Sequence, residues 1–240
     1  MKHIASITTL TLVAAASMAD AAAPAVAPAA AWSQSANLAI TSNYIWRGIS
    51  QTDNGLAIQG GFDVAHTSGL SAGVWGSNVQ DNEGDYLNGV EFDFYANYGF
   101  KVSNVDLSVG YIAYYYQSFT NLNFSEINVA ATYAGVTAKV SKEISNSSDG
   151  SGFTDHGYYY ELGYTYSIPA VKGLDLGLHY GWAEYANVTE EDYSVSLTYP
   201  VAGFAATLAY SNAPGASNRT WNTSNSINKD IFAVTLKKTF

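Results

Sequence analysis

The residues of this chain that could do chemistry are carboxylates and a few bases, set at alternate positions of otherwise apolar segments. Asp63, Glu91, Asp93, Asp106, Glu126, Glu143, Glu161, Asp175 and Asp192 recur on one face of their segments, together with Arg47, Lys139, Lys237 and His179. A charge facing hydrocarbon near a bilayer midplane costs about 2–4 kcal/mol, so such a face requires water or ion pairs. An enclosed, acidic, water-filled space favours cations over anions. The competing reading is an interior filled by its own side chains, which conducts poorly. The candidate solute-facing residues are therefore Arg47, Asp63, Glu91, Asp93, Asp106, Glu126, Lys139, Glu161, Asp175, His179 and Lys237.

Catalytic chemistry finds little support. The histidines are His3, His66, His156 and His179, and no pattern links any of them to a serine. His179 near Asp175 or Glu161 reads as a satisfied pair rather than a dyad. No metal-ligand spacing occurs. Asp81–Asp85 (DNEGD) and Glu190–Asp192 (EED) could hold divalent cations such as those bridging lipopolysaccharide. Solvated loops explain both more simply, and DNEGD lacks the spacing of a calcium loop. The glycosylation-type matches at Asn187 and Asn218 are three-residue patterns too short to carry weight alone. The expectation is no enzyme, no metal and no cofactor. Cysteine is absent from the 240 residues, which excludes disulfides and thiol chemistry. A net charge of -10 excludes nucleic acid as a natural partner.

The elements that must position these groups are strands. Alternation with period two runs from Gln34 almost to the end. In Asp192–Tyr199, Tyr193, Val195, Leu197 and Tyr199 share one face, and Asp192, Ser194, Ser196 and Thr198 the other. About twelve strands are expected, over 36–47, 56–66, 70–79, 89–101, 105–116, 123–133, 136–144, 157–167, 174–183, 192–200, 203–211 and 230–240. Their connections alternate between long and short, as in a transmembrane antiparallel β-barrel and unlike a soluble sandwich. An even count places both termini at the short-turn rim, the periplasmic one. The apolar face puts Leu107, Val109, Tyr111, Val129, Val136, Leu162, Leu176, Val195, Leu208 and Val234 toward lipid. Tyr44, Trp46, Tyr115, Tyr158, Tyr180, Trp182, Tyr199 and Tyr210 are placed in interfacial girdles. No segment after the N-terminus is long and apolar enough for a membrane helix, and the mean hydropathy of -0.03 suits strands whose faces average out.

The start of the chain reads as export and spacing. Met1–Ala21 has a charged start, a short apolar run and the small-residue ending Ala19-Asp20-Ala21, which is the pattern of a cleaved signal peptide. Residues 22–33 form a Pro/Ala linker, and 34–240 the barrel.

Two stretches carry resemblances. The last strand, Asp230–Phe240, presents Phe232, Val234, Leu236 and Phe240 on one face, and it resembles the C-terminal signal read by the outer-membrane assembly machinery. Thr41–Gly55 (TSNYIWRGISQTDNG), with Gln59–Asp63 (QGGFD) and Gly73–Val79 (GVWGSNV), resembles the TorF-type porin family, long catalogued as conserved hypothetical proteins. The resemblance implies a bacterial outer-membrane location and a pore, and it supplies no substrate. The expected partners are outer-membrane lipids and lipopolysaccharide, the assembly machinery, and small solutes, cationic or neutral, that diffuse passively. The alternatives are a barrel enzyme, or a structural or adhesive barrel with a plugged lumen and Asn212–Lys229 as its contact loop. Arg47 is expected to brace the wall through Asp63 or Glu91, with contact to a passing anion as the other possibility; Gly48 lets the chain turn.

Overall fold

The computed structural model describes residues 31–79, 89–117, 122–146, 157–185, 188–214 and 230–240. The signal peptide, the linker as far as Ala30, DNEGD, His156, Asn187, Asn218 and most of Asn212–Lys229 lie outside those residues. In chain order the strands are β1 (Trp32–Thr41), β2 (Ile45–Trp46), β3 (Ile49–Ser50), β4 (Ala57–His66), β5 (Leu70–Val79), β6 (Gly89–Val102) and β7 (Val105–Tyr116). They continue as β8 (Phe124–Tyr133), β9 (Val136–Asn146), β10 (Tyr158–Ser167), β11 (Asp175–Tyr185), β12 (Val188–Val201), β13 (Phe204–Asn212) and β14 (Ile231–Thr239). All but β2 and β3 form one closed antiparallel barrel of twelve strands.

Closure is made by β1 against β14, from Asn37↔Thr239 to Thr41↔Thr235. The terminal residue takes part: Phe240 N–H donates to Ala36 O at 2.8 Å. No edge is left open, which is what hydrocarbon demands of a sheet. Two of the short turns place two residues in left-handed backbone, the second a glycine that adopts it without strain. Ala134-Gly135 and Ala202-Gly203 have φ of 50° and 83°, and 50° and 80°. Two positive-φ residues in a row make the tight turn whose twist matches the flanking strands.

The outward parity of the strands is apolar, with Val109, Val129, Leu162, Leu208 and Val234 exposed along it, and every residue assigned above to lipid lies there. Tyr115, Tyr158, Tyr180, Trp182, Tyr193 and Tyr210 ring the long-loop rim; Tyr98, Tyr133, Tyr166, Tyr199 and Phe204 ring the other. Phe232, Val234, Leu236 and Phe240 also face outward. An outward charge at mid-strand is therefore expected to be costly. Leu208→Arg should lose about 2–4 kcal/mol of unfolding free energy in lipid vesicles, read by urea titration. A loss within experimental error would place Leu208 off the lipid face.

Most strands end within two residues of expectation, and three larger departures bear on the lumen. β1 covers 32–41 rather than 36–47, so Trp32 and Ser33 belong to the wall and not to the linker. Tyr44 and Trp46, expected in a girdle, leave the wall altogether, because the chain turns inward after Thr41. β12 begins at Val188, where it pairs with Tyr185 of β11. Asp192 is a buried inward-facing wall residue, as its parity predicts, and Glu190 joins it in the wall rather than in a solvated loop. Acidic residues continue a strand where the face that they occupy is polar.

Candidate functional site

The motif Thr41–Gly55 folds into the lumen as a self-knit hairpin. Ile45↔Ser50 and Trp46↔Ile49 pair, and Arg47-Gly48 make the turn with φ of 45° and 75°. The small polar residues of the motif hold one another. Ser50 Oγ donates to Asn43 Oδ1 at 2.6 Å, Asn43 Nδ2 to Asn54 Oδ1 at 2.9 Å, and Thr52 Oγ1 to Gly55 O at 2.7 Å. The Tyr44 N–H donates to Thr52 Oγ1 at 3.1 Å, and the Gln51 N–H to Tyr44 O at 2.6 Å. Buried polar groups need such partners, and here the motif supplies its own.

The hairpin crosses the lumen from one wall to the other. On the β4–β6 side Tyr44 packs with Ala57, Val79 and Trp75, and its hydroxyl donates to Glu91 Oε1 at 3.0 Å. Burial pushes the Tyr44 phenol well above its ordinary pKa, and the nearby Glu91 and Asp93 add to this, so it stays a neutral donor. Trp46 meets Tyr114 and Phe124 edge-on at 6.0 and 6.1 Å. On the far side Ile49 packs with Ala213, and Gly48 lies against Asp192 and Ala213.

Arg47 is the centre of this crossing. Its Nη2 bonds both oxygens of Glu126, at 2.8 and 2.9 Å, with side chains only 6% and 4% exposed. Its guanidinium also lies 4.4 Å from the Trp46 ring and 3.9 Å from the Tyr159 ring. Tyr159 OH donates to Asp192 Oδ2 at 2.8 Å, and His179 Nε2 meets Asp192 Oδ1 at 2.9 Å. Glu126, Arg47, Tyr159, Asp192 and His179 form one transverse brace between β8 and β12. Gly181 permits it, because a Cβ there would collide with the Tyr159 hydroxyl and the Asp192 carboxylate. An arginine at φ of 45° is itself unfavourable by about 1–2 kcal/mol, a strain that the two-residue turns at Ala134 and Ala202 carry as well.

Beneath the hairpin is a cavity of about 150 Å³. Arg47, Asp93, Glu161, His179, Asp192 and Lys237 supply its charged or ionisable lining.

The expected inward residues fall into three groups. Arg47, Glu91, Asp93, Glu126, Glu161, His179 and Lys237 gather at the hairpin or the cavity, with Lys139 joined to Glu161 at 3.0 Å. Asp63 stays on the wall, accepting from Tyr95 OH at 2.6 Å, and Asp175 accepts from Ser167 Oγ at 2.6 Å. Asp106 sits at the short-turn rim, paired at 3.0 Å with Lys101 and 55% exposed, so it is a rim residue and not a deep one. Arg47 braces, but through Glu126 rather than Asp63 or Glu91, and from a turn rather than a wall strand. Sequence reasoning missed Tyr114, Tyr159 and Trp75 as inward groups. Their parity held the signal: Tyr159 shares a face with Glu161, and Tyr114 with Asp106.

Comparison with known proteins fits the geometry. The family model described as "Bacterial protein of unknown function (Gcw_chp)" matches residues 25–240. The chain is similar in fold to a solved structure described as "KdgM porin", at TM-score 0.57 and 9% identity, covering 86% of this chain and 98% of that one. It is similar also to a chain described under "Unveiling the Mechanism Behind the in-meso Crystallization of Membrane Proteins", at TM-score 0.54 and 10% identity, over 86% and 83% of the two chains. Outer membrane phospholipase A from Escherichia coli matches at TM-score 0.45 and 10% identity, over 85% and 91%, too distantly to bear on activity. No curated protein matches in sequence. At these identities the structural matches establish the barrel and no more.

Proposed function

The chain belongs to the Gcw_chp family, and we propose that it serves in the bacterial outer membrane as a narrow pore for passive diffusion of small solutes, with cations and neutral molecules preferred. In this reading the family is also the TorF-type one that the Thr41–Gly55 motif resembles. Both ends of the barrel, at Trp32 and Thr239, lie at the short-turn rim, taken as the periplasmic side.

The observation that carries the proposal is the asymmetry of the two barrel faces. The inward parity is charged and mostly acidic, while the outward parity is apolar. A twelve-stranded wall is wider than the eight-stranded kind that side chains alone fill, and narrower than the sixteen-stranded kind that leaves a broad channel. Here the extra width holds a hairpin and a cavity. In this reading the hairpin sets the narrowest level, where Glu126 binds the Arg47 guanidinium and Glu91, Asp93 and Asp192 add inward carboxyls. Excess negative charge at a constriction favours cation entry.

A barrel enzyme is the second reading. His179 speaks against it, because its Nε2 is engaged by Asp192 and lies 3.1 Å from Tyr159 OH, inside the brace. Liposomes carrying the purified protein test the pore. They are expected to swell in isotonic glycine or small sugars, faster than protein-free liposomes and progressively slower as the solute grows. Swelling equal to that of protein-free liposomes for every solute would overturn the proposal.

A further inference from the structure

Lys237 is out of keeping with the lumen around it. It projects inward from β14 into the cavity and is half-buried, yet it forms no ion pair with any described residue. Other inward cations are engaged: Arg47 by Glu126, Lys139 by Glu161, and Lys101 by Asp106 at the rim. The wall beside Lys237 carries short side chains that do not occupy the space in front of it. Ala39 and Ala205 are its register partners, and Asn37, Thr207 and Thr235 line the cavity nearby.

Asp63 of β4 is the carboxylate whose field reaches Lys237, beyond ion-pair distance, and two further carboxyls line the cavity from other directions. In the strand order of the barrel, four steps from β14 by way of β1 reach β6, which carries Asp93; four steps the other way reach β10, which carries Glu161. Lys237, Asp93 and Glu161 therefore stand a third of the circumference apart, all lining one cavity. Among the described residues no ion pair joins Lys237 to either carboxyl. Asp93 is almost fully buried and leaves Oδ1 without a hydrogen-bond partner. Glu161 remains 24% exposed in spite of Lys139, and a carboxylate has lone pairs for several donors.

A neutral solute gains little from such a cavity, and a simple cation or anion satisfies only one wall. We infer that the cavity under the hairpin binds a small zwitterion of the amino-acid kind, with its carboxylate on Lys237 and its ammonium on Glu161, oriented by the field of Asp93 and Asp192. Charge-assisted bonds at both ends make the two halves of the solute cooperate. The inference rests on the pore reading only for what the bound solute does next, since binding itself needs no conduction.

Equilibrium dialysis of the detergent-solubilised full barrel tests it with β-alanine and its two halves, propionate and ethylammonium. Saturable binding of β-alanine is expected, tighter than either half by about tenfold, the scale of one added charge-assisted bond. Lys237→Gln should reduce β-alanine to the level of ethylammonium, and Lys237→Arg should retain most of the binding. Since Lys237 has no ion-pair partner to orphan, both variants are expected to fold, which unchanged circular dichroism would confirm. Equal binding of propionate and β-alanine, indifference to Lys237→Gln, or no saturation at all would overturn the inference. Liposome swelling reports separately. A barrel that swells liposomes but binds no β-alanine refutes only the zwitterion site, and one that binds without swelling refutes only the pore.

Discussion

Arg47→Ala is expected to enlarge the single-channel conductance severalfold and to sharpen the preference for cations. Arg47 and Glu126 are both nearly inaccessible, and they are bound through two short contacts. Removing one member of a buried pair costs about 3–5 kcal/mol, chiefly by leaving the other charge without its partner. The barrel ladder does not depend on this pair, because all twelve wall strands are closed by backbone hydrogen bonds. The strain therefore falls on the hairpin, whose own two-stranded ladder is short. A hairpin that no longer spans the lumen leaves a wider passage lined by Glu126, Asp192 and Glu91. Planar-bilayer recordings of the variant beside wild type check this. Equal step sizes would mean that Arg47 is not what narrows the lumen.

Gly48→Val should open the barrel in the same way without touching a charge. A Cβ at Gly48 would lie 2.7 Å from both the Ala213 and Asp192 Cβ atoms, and φ there is 75°. Neither neighbour is the free end of a flexible chain, and a β-branched residue strongly resists left-handed backbone. The turn cannot seat against β12 and β13, so the hairpin must withdraw. The expected result is a larger conductance step with ion selectivity close to that of wild type. The two lesions differ in chemistry and converge on one element. Agreement between them assigns the constriction to the hairpin; a Gly48→Val channel of wild-type size would remove the hairpin from the account.

Much of the barrel was legible because a strand repeats every two residues, and Asp192–Tyr199 or Leu174–Trp182 shows that repeat without interruption. The inward side of Asp93, Glu161, His179 and Lys237 followed from the same parity. The hairpin was not legible. Tyr44, Ile45 and Trp46 look like the continuation of β1, and the break falls on Ser42 and Asn43, whose polarity suits a lumen face as well as a turn. What turns the chain inward is a set of hydrogen bonds among Thr41, Asn43, Ser50, Thr52 and Asn54, visible only once the loop has closed on itself. The partner of Arg47 was equally hidden, since Glu126 lies 79 residues away and reaches Arg47 only through barrel closure. Glu190 was misplaced for a related reason, whereas Asp192 already stood on the inward face by parity. An acidic run reads as solvent-exposed loop until the strand is seen to begin at Val188.

If the barrel conducts through an acidic lumen narrowed by its own first loop, the reversal potential of the wild-type protein in a planar bilayer under a potassium chloride gradient reports it directly. Discrete small steps are predicted, with a reversal potential of the sign set by potassium permeating faster than chloride. Absence of steps from wild type and from both hairpin variants, or a reversal potential of the opposite sign, would contradict the account.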